Sequence, residues 1–133
     1  MKKLFSRLLA FVLVVVVGLT GCSTSTPSGL SGSYRDDTLT VIETLRTALE
    51  LPDDAPEKAT AQVKAREAIN DFAALYRRDT SVTKLSSYTT MRTALNSLAG
   101  HYSSYPNRPV PEKLKNRLEM EFNRIEGALR REA

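Results

Sequence analysis

The side chains able to do chemistry are few and poorly placed for catalysis. The chain holds one histidine and one cysteine. His101 has Leu98 three residues before it, so the Glu-x-x-His pairs that build a di-iron centre inside a helical bundle are missing. Asp53, Asp54 and Glu57 form the densest acidic cluster, but without the alternating oxygen ligands and central glycine of a calcium loop. They read instead as the start of a helix. Serines and threonines are plentiful, yet none sits in a Gly-x-Ser-x-Gly elbow. No phosphate loop or dinucleotide fingerprint occurs. A lone cysteine allows neither a disulfide within the chain nor a thiolate metal set. The sequence therefore predicts no metal, no cofactor and no enzyme.

What Cys22 can do is accept a lipid. Lys2, Lys3 and Arg7 precede an apolar run from Leu8 to Val17, with no acid among them, the layout of a secretory signal over residues 1–21. The run is short for a permanent membrane span. It ends in Leu19-Thr20-Gly21-Cys22, which resembles the bacterial lipobox, where small residues precede the cut and the thiol takes the diacylglycerol. Stable anchoring takes more than one acyl chain, and bacterial lipoproteins usually carry three. The mature chain is thus expected to hang by Cys22 from the non-cytoplasmic side of a membrane. Residues 22–33 read as a lipidated flexible tether, because Ser23–Ser33 is a Gly/Ser/Pro stretch that should order nothing. Residues 34–133 are the folded domain. The formal net charge of the 133 residues is +4, but most of it belongs to the signal. Past it, 16 basic residues face 15 acidic ones, so nucleic acid is not an expected partner.

Four amphipathic segments make up the domain. The first spans Tyr34–Glu50, with Ser33 as N-cap, Asp36 and Asp37 in the first turn, and Leu39, Ile42, Leu45 and Leu49 as its apolar stripe. Leu51-Pro52 stops it. The second begins with Pro56 in the first helical position and runs to about Asp79, with Ala61, Ala65, Ala68, Ile69, Phe72 and Tyr76 inward. The third spans about Ser86 to Ser103, with Tyr88, Met91, Leu95, Leu98 and Tyr102 inward. Pro106, Pro109 and Pro111 punctuate the next connection. The fourth runs to about Arg131 on Leu114, Leu118, Phe122, Ile125 and Leu129. No stretch alternates with period two. Short connections make successive helices antiparallel neighbours, so the expected fold is all-α, an up-down-up-down four-helix bundle. The expected state of the free protein is a monomer.

Two surface oddities point to a partner. Residues 34–81 carry seven bases and ten acids, and residues 82–133 carry nine bases and five acids. Within the basic half, Lys113, Arg117, Arg124 and Arg131 recur at steps of four, seven and seven on one line of the last helix. Glu112, Glu119 and Glu126 follow a separate line, and Glu121 can pair with Arg117 or Arg124. The third helix, by contrast, has Arg92 as its only formal charge between Leu85 and Asn107. Its outward positions are small: Thr93, Ser97, Gly100 and Ser104. Such a face permits close approach of another backbone, while arginines can give paired hydrogen bonds to carboxylates. The candidate partner-binding residues are Gly100, Tyr105, Arg108, Lys113, Arg117 and Arg124.

The block from Tyr88 to Gly100, followed by Tyr102, Tyr105, Arg108-Pro-Val-Pro-Glu-Lys-Leu-Lys115 and Arg117-Leu118, resembles the small luminal assembly lipoproteins of photosystem II. Asp37-Thr-Leu-Thr-Val-Ile42, Leu45-Arg46, Ala68-Ile-Asn-Asp71 and Tyr76-Arg77-Arg78 extend the likeness over the mature chain. The lipobox points to the cyanobacterial form. The resemblance implies a non-catalytic factor on the luminal side of the thylakoid membrane. It implies binding to immature photosystem II through the luminal loop of the chlorophyll-binding inner antenna subunit. It further implies action before the manganese cluster and the extrinsic proteins are in place, and again in repair. It assigns no contact residues. The competing reading is a general envelope lipoprotein, a helical adaptor or chaperone of the periplasm.

Overall fold

The computed structural model describes residues 28–106 and 108–132, and Cys22 with the whole signal region lies outside them. Four long helices, α1 Tyr34–Glu50, α2 Lys58–Tyr76, α3 Ser86–Ser104 and α4 Glu112–Glu132, form the bundle, with a one-turn helix at Thr80–Thr83 between α2 and α3. The alternation of direction can be followed through contacts. Lys58 at the start of α2 donates to Ala48 and Leu51 at the end of α1. Tyr34 at the start of α1 touches Phe72 and Tyr76 near the end of α2. Ser87 at the start of α3 receives Glu132 from the end of α4. The helices therefore run up, down, up and down, as the short connections require.

The core runs the length of the bundle. Phe72, Phe122, Ile42, Leu45, Met91, Leu98, Leu118 and Ile125 are its largest fully buried side chains on the four helices. The inward stripes of α2, α3 and α4 are those read from the sequence, with Ala61 and Leu114 only partly buried. On α1 the stripe shifts. Val41 and Thr38 are inside, whereas Leu39 is 37% exposed. Spacing explains the difference, since 38, 41, 42, 45, 48 and 49 follow steps of three and four around one seam and residue 39 falls beside it. Thr38 tolerates burial because its hydroxyl donates to the Tyr34 carbonyl at 2.6 Å.

Two element boundaries also move. Pro56 lies in a turn ahead of α2, where Ala55 N donates to Pro52 O and Lys58 N to Ala55 O. At the other end, α2 stops at Tyr76, short of Asp79. Asp79 instead caps the one-turn helix, accepting from Ser81 N at 3.0 Å and Ser81 Oγ at 2.6 Å.

The stretch expected to order nothing up to Ser33 is held over its last residues. Leu30 is 1% exposed, inside the core. Gly32 adopts φ +91°, a conformation that suits glycine, and so turns the chain into α1. Ser33 precedes the helix as expected but its side chain makes no capping bond. Asp37 instead fixes the segment ahead of the helix. Its carboxylate accepts Ser31 N at 2.7 Å, Ser31 Oγ at 3.0 Å and Gly32 N at 2.9 Å. One apolar side chain and one buried acid convert a polar tether into a fixed lead-in.

Candidate partner-binding surfaces

The two ends of the bundle differ in chemistry. At the end where α1 begins, polar groups are buried and mutually satisfied. Asp37 is 2% exposed and also accepts the Tyr76 hydroxyl. Burial alone would raise its pKa, but the bonds from Tyr76, Ser31 and Gly32 outweigh that and hold the carboxyl below the ordinary range. The Tyr76 hydroxyl is pushed the other way, by burial and by the adjoining Asp37 carboxylate. Beside it, Ser87 is fully buried, sharing a hydrogen bond of 2.6 Å with Tyr34 and donating to Glu132 Oε2 at 2.6 Å. Glu132 Oε1 accepts Ser87 N at 3.1 Å, so the last turn of α4 caps the first turn of α3.

The opposite end is built from the Tyr105–Pro111 connection and the start of α2. Val110 is buried and pins the connection, while Tyr105 and Arg108 stay outside. Tyr105 is 51% exposed. The Arg108 guanidinium lies 5.9 Å from its ring centre, and the His101 ring centre is 5.4 Å away. His101 Nε2 is also 3.4 Å from the Arg108 carbonyl. Arg108 and the flanking Pro106 and Pro109 wall one side of a groove of about 320 Å³, with Asp53, Pro56 and Lys58 on the other. Lys58 is 8% exposed, its ammonium bonded to two carbonyls of the α1 terminus. Burial, then the nearby Lys115, lowers its pKa, and Asp53 at 3.8 Å partly offsets this. The end therefore offers an exposed aromatic ring, a planar cation beside it and a stiff proline frame. Such a surface suits a partner segment with carboxylates or aromatic rings.

The structure brings some predicted residues together and separates others. Tyr105 and Arg108 touch, and Gly100 lies next to His101, one turn below Ser104. A side chain added at Gly100 would meet nothing within 4 Å, so the position is open and mid-helical. Ser97 is only half-buried rather than fully outward, with its hydroxyl on Thr93 O. Lys113 is exposed in the first turn of α4. Arg117 is exposed but already paired with Glu121 at 3.2 Å. Arg124 is also exposed, about 16 Å from Lys113 along α4 by helical rise. The basic line is thus a strip along the bundle, and only its upper part adjoins Tyr105 and Arg108.

Several working residues escape sequence reading. The line of glutamates on α4 has an inward task. Arg46 of α1 donates to Glu119 at 2.8 Å, Glu126 at 2.6 Å and Asn123 at 3.1 Å, and lies over the Phe122 ring. Its pKa is raised by the Glu119 bonds first, against the effect of burial. Arg66 of α2 likewise covers the buried Tyr102 ring at 5.4 Å. The only hint was position: each arginine flanks an apolar stripe facing a helix whose identity the sequence does not reveal. Among the described residues, no group of three His, Cys, Asp or Glu side chains could hold a metal, and no helix is long and apolar enough to cross a membrane.

Comparison with known proteins gives one consistent set. A family model described as Photosystem II Pbs27 matches residues 5–129. The Photosystem II assembly factor lipoprotein Psb27 of Thermosynechococcus vestitus is 57% identical over 133 residues, covering 100% of this chain and 98% of its own. The chloroplastic Photosystem II repair protein PSB27-H1 of Arabidopsis thaliana is 36% identical over 99 residues, 74% of this chain and 57% of that one. The solution structure of Psb27 from cyanobacterial photosystem II superposes with a TM-score of 0.76 at 52% identity, covering 84% of this chain and 96% of that one.

Proposed function

Since the chain belongs to the photosystem II Pbs27 family, we propose that it is an assembly and repair factor that binds the luminal face of immature photosystem II. The observation that carries this reading is identity of 57% along the whole chain with a relative named as an assembly factor lipoprotein. The partner element is the luminal loop of the inner antenna subunit. Binding precedes the manganese cluster and the extrinsic proteins. The protein acts by occupying a surface and performs no chemistry of its own.

Its docking face is the end bearing Tyr105 and Arg108, extended by Gly100 on α3 and by Lys113, Arg117 and Arg124 along α4. Tyr105 supplies a half-exposed ring. Arg108 supplies two donor edges, and Gly100 leaves room for close approach. Lys113 and Arg124 steer an acidic partner, and Arg117 contributes after exchanging Glu121 for a partner carboxylate. Cys22 carries the acyl chains, so the bundle is held on the luminal side of the thylakoid membrane as a monomer until it docks.

Co-purification with a tagged inner antenna subunit from cells blocked before manganese assembly tests the reading. The protein should be recovered with that complex and be absent from mature, oxygen-evolving centres. Equal recovery from both would contradict the proposed stage, and recovery from neither would remove photosystem II as the partner. Palmitate labelling of the wild type and of Cys22→Ser tests the anchor, with label expected only in the wild type.

A further inference from the structure

The end of the bundle away from Tyr105 carries a second basic feature that the docking face does not use. Arg77 and Arg78, just past α2, and Arg92 on α3 surround an open groove of about 470 Å³ together with Thr83, Tyr88 and Thr89. All three arginines are exposed, and none makes an ion pair among the described residues. Three acids of this end are hydrogen-bonded to other groups. Asp79 caps the one-turn helix, Asp37 is buried under Ser31, Gly32 and Tyr76, and Glu132 caps α3. Exposed Arg130 and Arg131 end α4 at the same level, because their neighbour Glu132 reaches Ser87. Arg77, Arg78, Arg92, Arg130 and Arg131 outnumber Asp37, Asp79 and Glu132, so the end keeps a net positive charge.

The second observation is where the chain enters the fold. Ser28 N donates to Asp71 at 3.1 Å, in the last two turns of α2. Leu30 is buried and Asp37 grips the next two residues, so the entry point is fixed to the bundle. Five residues separate Ser28 from Cys22, a contour of at most about 20 Å. Helical rise puts Arg78 about 10 Å from Asp71 along the axis in one direction, and the first residue of α2 about 20 Å away in the other. The fixed entry point therefore lies nearer the arginine groove than Tyr105 and Arg108, and the groove is well within reach of a bilayer that holds Cys22.

We propose that this end is a membrane-docking surface, in which Arg77, Arg78 and Arg92 bind anionic headgroups of the bilayer that carries the anchor. The inference rests on the lipidation of Cys22 proposed above. Long-range attraction of clustered arginines to an anionic leaflet supplies the affinity, and the short, gripped tether supplies the orientation. The bundle then stands on its membrane, arginine end down, with the Tyr105–Arg108 end presented outward to the partner complex.

The test uses the mature lipidated protein in vesicles of phosphatidylcholine alone or mixed equally with phosphatidylglycerol. A fluorophore is attached at Thr80→Cys near the groove or at Ser104→Cys at the far end, and a nitroxide lipid quenches it at headgroup depth. Strong quenching is expected at Thr80→Cys in anionic vesicles, several-fold less in neutral ones, and little at Ser104→Cys in either. Combining Arg77→Glu, Arg78→Glu and Arg92→Glu should return the Thr80→Cys signal to its neutral-vesicle level while the protein stays anchored and its thermal transition is unchanged. Equal quenching at both ends, or indifference to the three substitutions, would overturn the proposal. So would competition by soluble glycerol phosphate, which marks a free-anion site, or loss of photosystem II capture without change in quenching, which marks a protein site. Intact mass separates the two claims, since a mass without acyl chains sinks the anchor. Flotation of that unlipidated protein with anionic vesicles then decides the docking surface alone: a loss of at least about tenfold in the triple variant supports it, and no loss overturns it.

Discussion

The two ends of this bundle treat polar side chains in opposite ways. Asp37, Tyr76 and Ser87 are buried and hydrogen-bonded, Ser87 to half-buried Tyr34 and to exposed Glu132, and these bonds hold the entry of the chain and the start of α3. Around Tyr105 and Arg108, an aromatic ring and a cation are left in solvent on a frame of prolines and one buried valine. Buried polar atoms without partners are costly, so the first set must be complete for the fold to stand. The second set is dispensable to the fold, which is the condition for a surface that serves a partner.

The contrast can be broken most severely at Asp37. Asp37→Ala leaves the Tyr76 hydroxyl and two backbone N–H groups without their acceptor, and urea unfolding should show a loss of about 3 kcal/mol. Tyr105→Ala at the other end should change stability by less than about 0.5 kcal/mol. Comparable losses at both ends would erase the distinction.

Acid gives a smaller effect on the same network. The Asp37 and Glu132 carboxyls are both held below their ordinary range in the folded chain. Their stabilisation is therefore complete above the unfolded values, near pH 4, and is lost as pH falls through the folded values. Thermal transitions should drop steeply below about pH 4 in the wild type and less steeply in Asp37→Asn. A flat profile from pH 5 to 2 would contradict the account of the network.

The smallest expected change is a gain. Gly100 lies inside α3 with open space around it, so Gly100→Ala should stabilise the bundle by about 0.5–1 kcal/mol in thermal melts. Gly100→Leu should also fold, but obstruct docking. A destabilised Gly100→Ala would mean that the glycine serves the fold rather than the partner.

Periodicity made the helices and most of the core legible in the sequence. The inward residues of α3, from Tyr88 to Tyr102, follow helical spacing with no competing signal. What periodicity could not carry was the meaning of polar residues on a seam. Asp37 and Thr38 sit where a core stripe should begin, and the eye passes to Leu39, which is more apolar but lies off the seam. Leu30 was hidden for a different reason: one leucine in a Gly/Ser/Pro stretch has no period at all, and only a pocket between helices makes it a core residue. Arg46 and Lys58 needed knowledge of which helices face each other, since their partners lie 73 residues and ten residues away. The candidate surface was legible as composition, through a nearly uncharged α3 and a basic α4. The aromatic and cationic cluster at Tyr105, His101 and Arg108 needed the turn geometry of the proline connection.

The Tyr105–Arg108 end is the proposed docking face. Capture of photosystem II assembly complexes by Arg108→Glu, with Glu43→Lys on the exposed side of α1 as its counterpart, tests it most directly. Both variants should melt like the wild type. Arg108→Glu should lose at least about tenfold in capture, more at low salt than at high, because a steering charge has been reversed. Glu43→Lys should capture normally. Loss of capture by Glu43→Lys with full retention by Arg108→Glu would place the partner on the opposite face of the bundle and contradict the account.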